Sequence, residues 1–500
     1  MKVTFINPDI VEFFNEPYAP VTLGYLAAML EPLEIQVNIL DLKIEKYWRY
    51  KLSTLNPDYI GITATSYTFG KVLEIIKACK KICKAKIIIG GAHPTLFQES
   101  LFRFADIDYV VFGEGEYTIR ELFQRIKHGQ SFRGVNGLIY RHKGSVVKNL
   151  PRTFENNIDS IPFPSWHLIN LRKYSFIPLV TSRGCPYSCV FCVTGKLQGK
   201  RWRARSAENI LNELEYLHRK FAVRYFMLRA DNFFVSKERV FDICEGIMKK
   251  RLDICWSVAS GRLDLVDKSM LEAMKRSGCE SVSFGIESGS DEILENIKKG
   301  FTVKRIERSV ELAIGAGLIV YGSFMIGNPG ETPETAQKTI EFMKKLFSCG
   351  LSPRYSTLCT PTPFSGTELE AWVKENGTFL VNEVIKYPLV NVTNDLRPVF
   401  ETPQFSKRQR IKAMQHAQRE LSKCLLTYKE NQLKTLLKTK SNFAYWINKI
   451  NGIKSPKDLL KVFWRTLLFG KRLCLDCIDL TKEKGKLAVK NILTFHTTNS

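Results

Sequence analysis

The sequence predicts an α/β chain in three parts: a doubly wound parallel sheet, an incomplete (β/α)6 barrel and a basic, mainly helical C-terminal region. Three observations predict it. Short β-branched runs alternate with amphipathic helical stretches through the first 130 residues, a second alternation begins near residue 177, and strand signals fade after residue 400 as Lys and Arg accumulate. Continuous apolar strands separated by helices read as parallel strands covered on both faces. The expected divisions are a doubly wound domain at 1–134, a hairpin and linker at 135–176, a barrel at 177–400 and a basic helical region at 401–500.

In the first domain the expected strands are 2–7, 35–40, 59–63, 86–89 and 109–112, with helices at 22–30, 70–83 and 117–127. A ligand crevice belongs beyond the carboxyl ends of such strands. Those ends carry Pro8-Asp9, Thr65-Ser66, Gly90-Gly91-Ala92-His93 and Gly113-Glu114-Gly115-Glu116. Small residues there let backbone N–H groups approach a bulky ligand. No G-x-G-x-x-G follows the first strand, which disfavours a dinucleotide. Residues 135–150 read as a hairpin turning at Lys143-Gly144, and the prolines at 151, 162, 164 and 178 mark an irregular connection.

The second alternation has strands at 179–182, 224–228, 254–259, 281–286, 319–326 and 355–360, with helices such as 207–220, 237–250 and 335–347. Six βα units make an incomplete barrel with its chemistry at the C-terminal rim of the strands.

Composition bounds the partners. With 44% hydrophobic and 25% charged residues among 500, the chain is of ordinary globular composition. No apolar run is long enough to span a bilayer. The start MKVTFINPD reads as a strand and turn rather than an export signal, so a cytoplasmic location is expected. Thirteen cysteines then read as thiols and metal ligands rather than a disulfide framework. The net charge is +24, and residues 401–500 hold 21 Lys and Arg against 7 Asp and Glu. Such a tail suits anionic lipid, nucleic acid, or simply water.

The strongest chemical signal is Ser182-Arg183-Gly184-Cys185-Pro186-Tyr187-Ser188-Cys189-Val190-Phe191-Cys192. Three thiolates at C-x3-C-x2-C after the first barrel strand can hold one iron–sulfur cluster. Three ligands on a four-iron cube leave one iron open for substrate or cofactor, as in a catalytic zinc site. Structural zinc would want a fourth Cys or His nearby, and His167 and His218 are distant in sequence.

This loop resembles that of radical S-adenosylmethionine (SAM) enzymes, and residues 1 to about 370 resemble their cobalamin-binding subgroup. The other landmarks follow in order: Ala230-Asp231-Asn232-Phe233, Gly261-Arg262-Leu263-Asp264, Gly285-Ile286-Glu287-Ser288-Gly289, Gly327-Asn328-Pro329-Gly330-Glu331, and Pro361-Thr362-Pro363 onward. The resemblance implies a [4Fe-4S] cluster on Cys185, Cys189 and Cys192, with SAM chelating the open iron. Phe191 is expected to shield the cluster. Arg262, Glu287 and Ser288 are candidates for the amino-acid end of SAM, Asp231 for the ribose or substrate, and Gly327 for the adenine loop. Asp231 and Asp264 could instead cap the helices that follow.

The N-terminal domain resembles the Rossmann-like (flavodoxin-like) cobalamin module of the subgroup. Thr65, Ser66, Gly90, Gly91, His93, Gly113 and Glu114 are its candidate corrinoid contacts. The usual corrinoid motif D-x-H-x-x-G is replaced by Asp41-Leu42-Lys43-Ile44, as is usual in this subgroup, and His93, after the fourth strand, is expected as a loop or corrin-edge contact rather than an axial ligand. The expected function is SAM cleavage to a 5′-deoxyadenosyl radical and modification of an unactivated carbon, by methyl transfer through methylcobalamin. Alternatives are a cyclase or rearrangement enzyme of the same family, an RNA-modifying methylthiotransferase, and a non-catalytic corrinoid sensor. The expected partners are a small or lipid-like substrate and a reductant such as flavodoxin or ferredoxin, rather than nucleic acid. Residues 457–472 read as a basic amphipathic helix suited to a membrane surface or to packing on the barrel. Cys79 with Cys83, and Cys474 with Cys477, read as structural thiols.

Overall fold

The computed structural model describes residues 1–8, 18–381 and 397–438. The chain forms two compact units, Met1–Gln418 and Arg419–Ser500. The basic stretch 457–472 and Cys474 and Cys477 lie outside the described residues.

The first sheet contains β1 (Lys2–Asn7), β2 (Gln36–Asp41), β3 (Tyr59–Thr63), β4 (Lys86–Gly90), β5 (Tyr109–Val111), β6 (Leu138–His142) and β7 (Ser145–Lys148). Its order is β2-β1-β3-β4-β5-β6-β7. The first five strands are parallel, with Phe5 opposite both Ile39 and Gly61. Helices Val21–Leu30 and Glu116–Lys127 bury Leu23, Ala27, Leu122 and Phe123 on one face, and Phe69–Ile82 buries Val72, Ile75 and Ile76 on the other. The sheet is thus doubly wound, as the alternation predicts. It has seven strands rather than five, because the hairpin continues it antiparallel to β5. The reason is period-2 patterning: Leu138 and Tyr140 enter one core and Ile139 the other. The turn takes positive φ at Lys143 and Gly144 (+47° and +84°), the conformation a two-residue hairpin needs.

The second sheet is built from β8 (Ile177–Val180), β11 (Tyr225–Arg229), β12 (Cys255–Gly261), β13 (Cys279–Glu287), β14 (Ile319–Met325) and β15 (Thr357–Cys359), with a small ribbon, β9 (Ser182–Arg183) and β10 (Arg203–Ala204), between the first two. The six strands run parallel in the order β15-β14-β13-β12-β11-β8, an open barrel wall. The expected first strand breaks at Thr181, whose backbone N–H goes to Arg229 O, so that Ser182 and Arg183 pair with β10 instead. Helix starts are set by Ser206, Ser236, Asp267, Thr302, Thr332 and Thr367, each side chain accepting a backbone N–H three residues on. Asp231 and Asp264 therefore do not cap the helices that follow them.

Helix Lys407–Lys438 opens the basic region, and Met414 and Ala417 pack with Phe405 against Ile326, Ala336 and Ile340 of the barrel. No described helix is long and apolar enough to cross a membrane.

Candidate active site

The carboxyl ends of the two sheets share a cavity of about 340 Å³. Thr63, Gly90, Gly91 and Gly113 line it from the first sheet, and Ser182 and Asp231 from the barrel. Gly91 has φ +104°, and a Cβ there would stand 2.8 Å from Ala64 O. A Cβ on Gly113 (φ +77°) would meet nothing within 4 Å, so this rim presents bare backbone to open space.

The cysteine loop leaves β9 through Gly184, whose φ is +77° and whose missing Cβ would lie 2.2 Å from Arg201 O. No other residue fits there. The Gly184 N–H donates to Asp231 Oδ2 at 2.7 Å, so Asp231 fastens the loop's first turn while facing the cavity. Burial pushes the Asp231 carboxyl above its ordinary range. Val190 N donates to Ile297 O at 3.2 Å and Cys192 N to Cys189 O at 3.0 Å. Cys185 and Cys189 are half-buried and Cys192 is exposed. Burial pushes the Cys185 thiol up, and its neighbours Cys192 and Cys189 push it further. Among the described residues no three His, Cys, Asp or Glu side chains converge as ligands of a single ion.

Beside the loop lies a buried polar cluster. Glu287 ends β13 with φ +69°, a conformation that costs about 1 kcal/mol or more for a residue with a Cβ, and accepts from Lys299 Nζ at 2.8 Å. Lys299 Nζ sits 5.8 Å from the Phe191 ring, and Phe191 packs on the edge of the Leu369, Val373 and Phe400 core. Arg262 grips Asp264 (3.0 and 3.1 Å) and lies 3.7 Å over the Tyr187 ring of the cysteine loop. Its Nη1 and the Nδ2 of Asn232 are buried without a hydrogen-bond partner. Buried donors of this kind ordinarily find a protein, water or ligand partner. Ser288, by contrast, is fully buried and turned into the packing, bonded to Thr339 Oγ1 at 3.0 Å and to Ser290 N at 3.2 Å. Lys299 carried no motif; only the rule that a buried carboxylate wants a cation could have pointed to it.

The sequence matches the radical SAM superfamily over residues 179–343 and the B12 binding domain over residues 10–123. It is 36% identical over 432 residues to an uncharacterized methyltransferase, PH0819, of Pyrococcus horikoshii, covering 83% of this chain and 91% of that one. The chain belongs to the cobalamin-binding radical SAM enzymes. It is also 28% identical to the cytidylyl-2-hydroxyethylphosphonate methyltransferase of Streptomyces wedmorensis (74% of this chain, 80% of that one). The fold is that of the radical SAM methyltransferase TsrM of Kitasatospora setae, at TM-score 0.66 and 20% identity over 83% of this chain and 90% of that one. It also matches the cobalamin-dependent enzyme OxsB at TM-score 0.60 and 24% identity, covering 75% of this chain and 55% of that one.

As a cobalamin-binding radical SAM enzyme, the protein uses a [4Fe-4S] cluster, SAM and cobalamin. The residues present fit these groups unevenly. The three thiols, the orphaned Arg262 Nη1 and the bare glycine rim suit them. Three expected corrinoid contacts do not reach the cavity. His93 is 1% exposed and lies between the rings of Phe69 and Phe97, with centroids 4.0 and 4.3 Å away, while its Nδ1 meets Ser66 Oγ at 3.1 Å. Burial pushes its imidazole down to about 3. His93 and Ser66 are thus core residues, and Thr65 turns its backbone N–H and hydroxyl to Thr68 Oγ1 (2.8 and 3.2 Å). Asp41, in the loop that lacks the corrinoid histidine, is engaged by Tyr174 Oη at 2.7 Å and Asn7 Nδ2 at 3.0 Å. Glu114 lines the cavity but spends its carboxylate on Arg183 (3.2 Å) and Arg203 (2.8 Å).

Gly327 stands at the end of β14 with φ +106°. Its N–H and that of Asn328 both go to Glu331 Oε2, the latter at 2.8 Å, so Glu331 folds back on its own loop.

Proposed function

We propose that the protein methylates an unactivated carbon of a small or lipid-like substrate held between the two rims. The observation that carries this reading is the shared cavity, with corrinoid-module glycines on one wall and the root of the cysteine loop on the other. When bound, the cluster and SAM supply a hydrogen-abstracting 5′-deoxyadenosyl radical, and cobalamin supplies a transferable methyl group. The chain's own residues place and shelter these groups. Cys185, Cys189 and Cys192 hold the cluster, and Phe191 with its apolar neighbours keeps water from it. Arg262 Nη1 offers a preformed donor to an anionic group such as the SAM carboxylate, and Glu287 an acceptor to its ammonium. Gly113, where a Cβ would meet nothing within 4 Å, lets the corrin approach backbone rather than a side chain, with Gly90 and Gly91 on the same wall. Methyltransferase relatives support transfer, and magnesium-protoporphyrin IX monomethyl ester cyclases, at 26 to 29% identity, support cyclisation as the second reading.

The basic region gives no reason to choose RNA. A methylthiotransferase needs a second cluster, yet Cys79 and Cys83 of the N-terminal module are buried core thiols, and burial pushes Cys79 up to about 12. A protein reductant such as flavodoxin or ferredoxin is the partner this chemistry calls for.

The test is anaerobic reconstitution with iron, sulfide, cobalamin, SAM carrying a labelled methyl group, and reductant. The reading requires 5′-deoxyadenosine, S-adenosylhomocysteine and label retained on cobalamin. Deoxyadenosine without any labelled cobalamin would favour the cyclase reading, and bound corrinoid with no SAM cleavage the sensor.

A further inference from the structure

Only Gly184 separates the first cluster thiol from a buried ion network that crosses to the cobalamin-binding module. Arg183 places Nη1 3.2 Å from Glu114 and donates Nη2 to Glu116. Both carboxylates belong to the turn after β5, with Glu116 the first residue of helix Glu116–Lys127. Arg203, paired with Arg183 in the β9–β10 ribbon, binds Glu114 through Nη2 at 2.8 Å and Nη1 at 3.0 Å. It also donates to Glu155 O at 2.7 Å and Gln198 O at 2.8 Å. The four side chains are 3–12% exposed. The Tyr25 ring lies 5.8 Å from the Arg183 guanidinium.

We infer that Arg183, held by Glu114 and Glu116 and braced by Arg203, is a positioning residue that locks the cysteine loop onto the cobalamin-binding module and so sets the cobalt-to-cluster spacing. The physical case rests on directionality. An apolar contact between modules tolerates sliding, whereas a planar guanidinium between two carboxylates fixes distance and angle. Such buried pairs contribute little net stability over an apolar replacement, so their use here is geometric. Burial pushes the Glu116 carboxyl up, but the Arg183 charge outweighs it and holds it below its ordinary range, so Glu116 stays ionised at neutral pH. Asp231 completes the arrangement by holding the next residue, Gly184, from the barrel side. The lock is independent of which group the enzyme transfers and rests only on the cofactors of the family.

The test uses the full chain loaded with cluster and cob(II)alamin. Dipolar broadening between the reduced cluster and cob(II)alamin in electron paramagnetic resonance reads their spacing. Unaltered protein should give a narrow distribution. Arg183→Lys and Glu116→Gln should broaden or shift it with iron and corrinoid content unchanged, and Arg203→Lys should do so more weakly. In cofactor-free protein the same variants should be cut severalfold faster by protease within residues 150–176. A distribution as narrow as the parent's in fully loaded variants would overturn the inference. So would iron loss with the spacing unchanged in the loaded remainder, since that marks a role in the loop alone. Should Arg183→Lys fail to fold, Glu116→Gln, which keeps the shape and removes the charge, decides.

Discussion

Arg410 donates its Nη1 to the carbonyl oxygen of Gly327 at 2.7 Å, from a segment beyond the matched radical SAM region. Its Nε bonds Phe405 O at 2.8 Å, and its guanidinium lies 4.4 Å from the Phe400 ring. The Gly327 peptide is thereby clamped on both sides, N–H by Glu331 and C=O by Arg410. A Cβ at Gly327 would stand 2.5 Å from Arg410 Nη1, so a side chain there would displace the guanidinium.

Replacing Arg410 with Met should therefore loosen the loop after β14. A lost charged hydrogen bond is worth about 2 kcal/mol, and the freed carbonyl adds to the damage. Thermal melting should drop by several degrees, and SAM affinity, read by equilibrium dialysis of the cluster-loaded protein, should fall about tenfold. Arg410→Lys should recover part of the affinity. Unchanged melting and affinity in Arg410→Met would show the clamp to be idle.

Glu331 gives the barrel a pH signature. Burial pushes its carboxyl up to about 7 despite the two N–H bonds and the Arg410 charge, and its Oε1 has no partner. The folded state then holds a proton that the unfolded chain releases near the ordinary Glu value. Its contribution is full below about 4.5 and falls away as pH rises to about 7. Glu331→Gln keeps an acceptor for Gly327 and Asn328 while removing the titration. The stability of this variant relative to the parent should rise across that window and level off above it, measured by urea unfolding from pH 5 to 8.

His93 works with the opposite sign in the other module. Its imidazole is neutral in the fold and pushed down to about 3 by burial, with Arg103 adding to it, whereas in the unfolded chain it protonates near 6.5. Stability from this site is present above pH 6.5 and is lost as pH falls toward 3. His93→Phe should remove that slope and should leave corrinoid binding, read by absorbance after desalting, within about twofold of the parent. Loss of corrinoid in this variant would restore His93 as a ligand.

The fold was legible where the chain's periodicity carries it. Strands 2–7 and 59–63 match the observed β1 and β3 residue for residue, because β-branched runs buried on both faces leave no other solution. The hairpin was legible as a hairpin but not as part of the sheet, since pairing with Tyr109 is a tertiary event. At the site, the cysteine spacing and the glycine rims were readable because backbone conformation restricts residue choice. Lys299 beneath Glu287, Arg183 between Glu114 and Glu116, and Arg410 on Gly327 were not. Each joins groups 12 to 83 residues apart, and a single sequence holds no record of which cation meets which carboxylate or carbonyl. The setting of His93 was not legible for a related reason: its two phenyl neighbours come from two helices, which the sequence alone does not bring together.

The sharpest test of the cysteine loop avoids the cysteines themselves. Gly184→Ala adds one methyl group where φ is +77° and the backbone oxygen of Arg201 is 2.2 Å away. The αL conformation alone costs an L-residue about 1 kcal/mol, and the overlap forces the turn to move. Moving it pulls the N–H of residue 184 from Asp231 and swings Cys185 away from Cys189 and Cys192. Iron per chain after reconstitution should fall severalfold, while far-ultraviolet circular dichroism stays that of the parent because both sheets are intact. Asp231→Asn, which keeps an oxygen acceptor for the same N–H, should hold most of its iron. If Gly184→Ala instead loaded as well as the parent, the loop would not be positioned by its first turn, and the account of Asp231 as its fastening would fall with it.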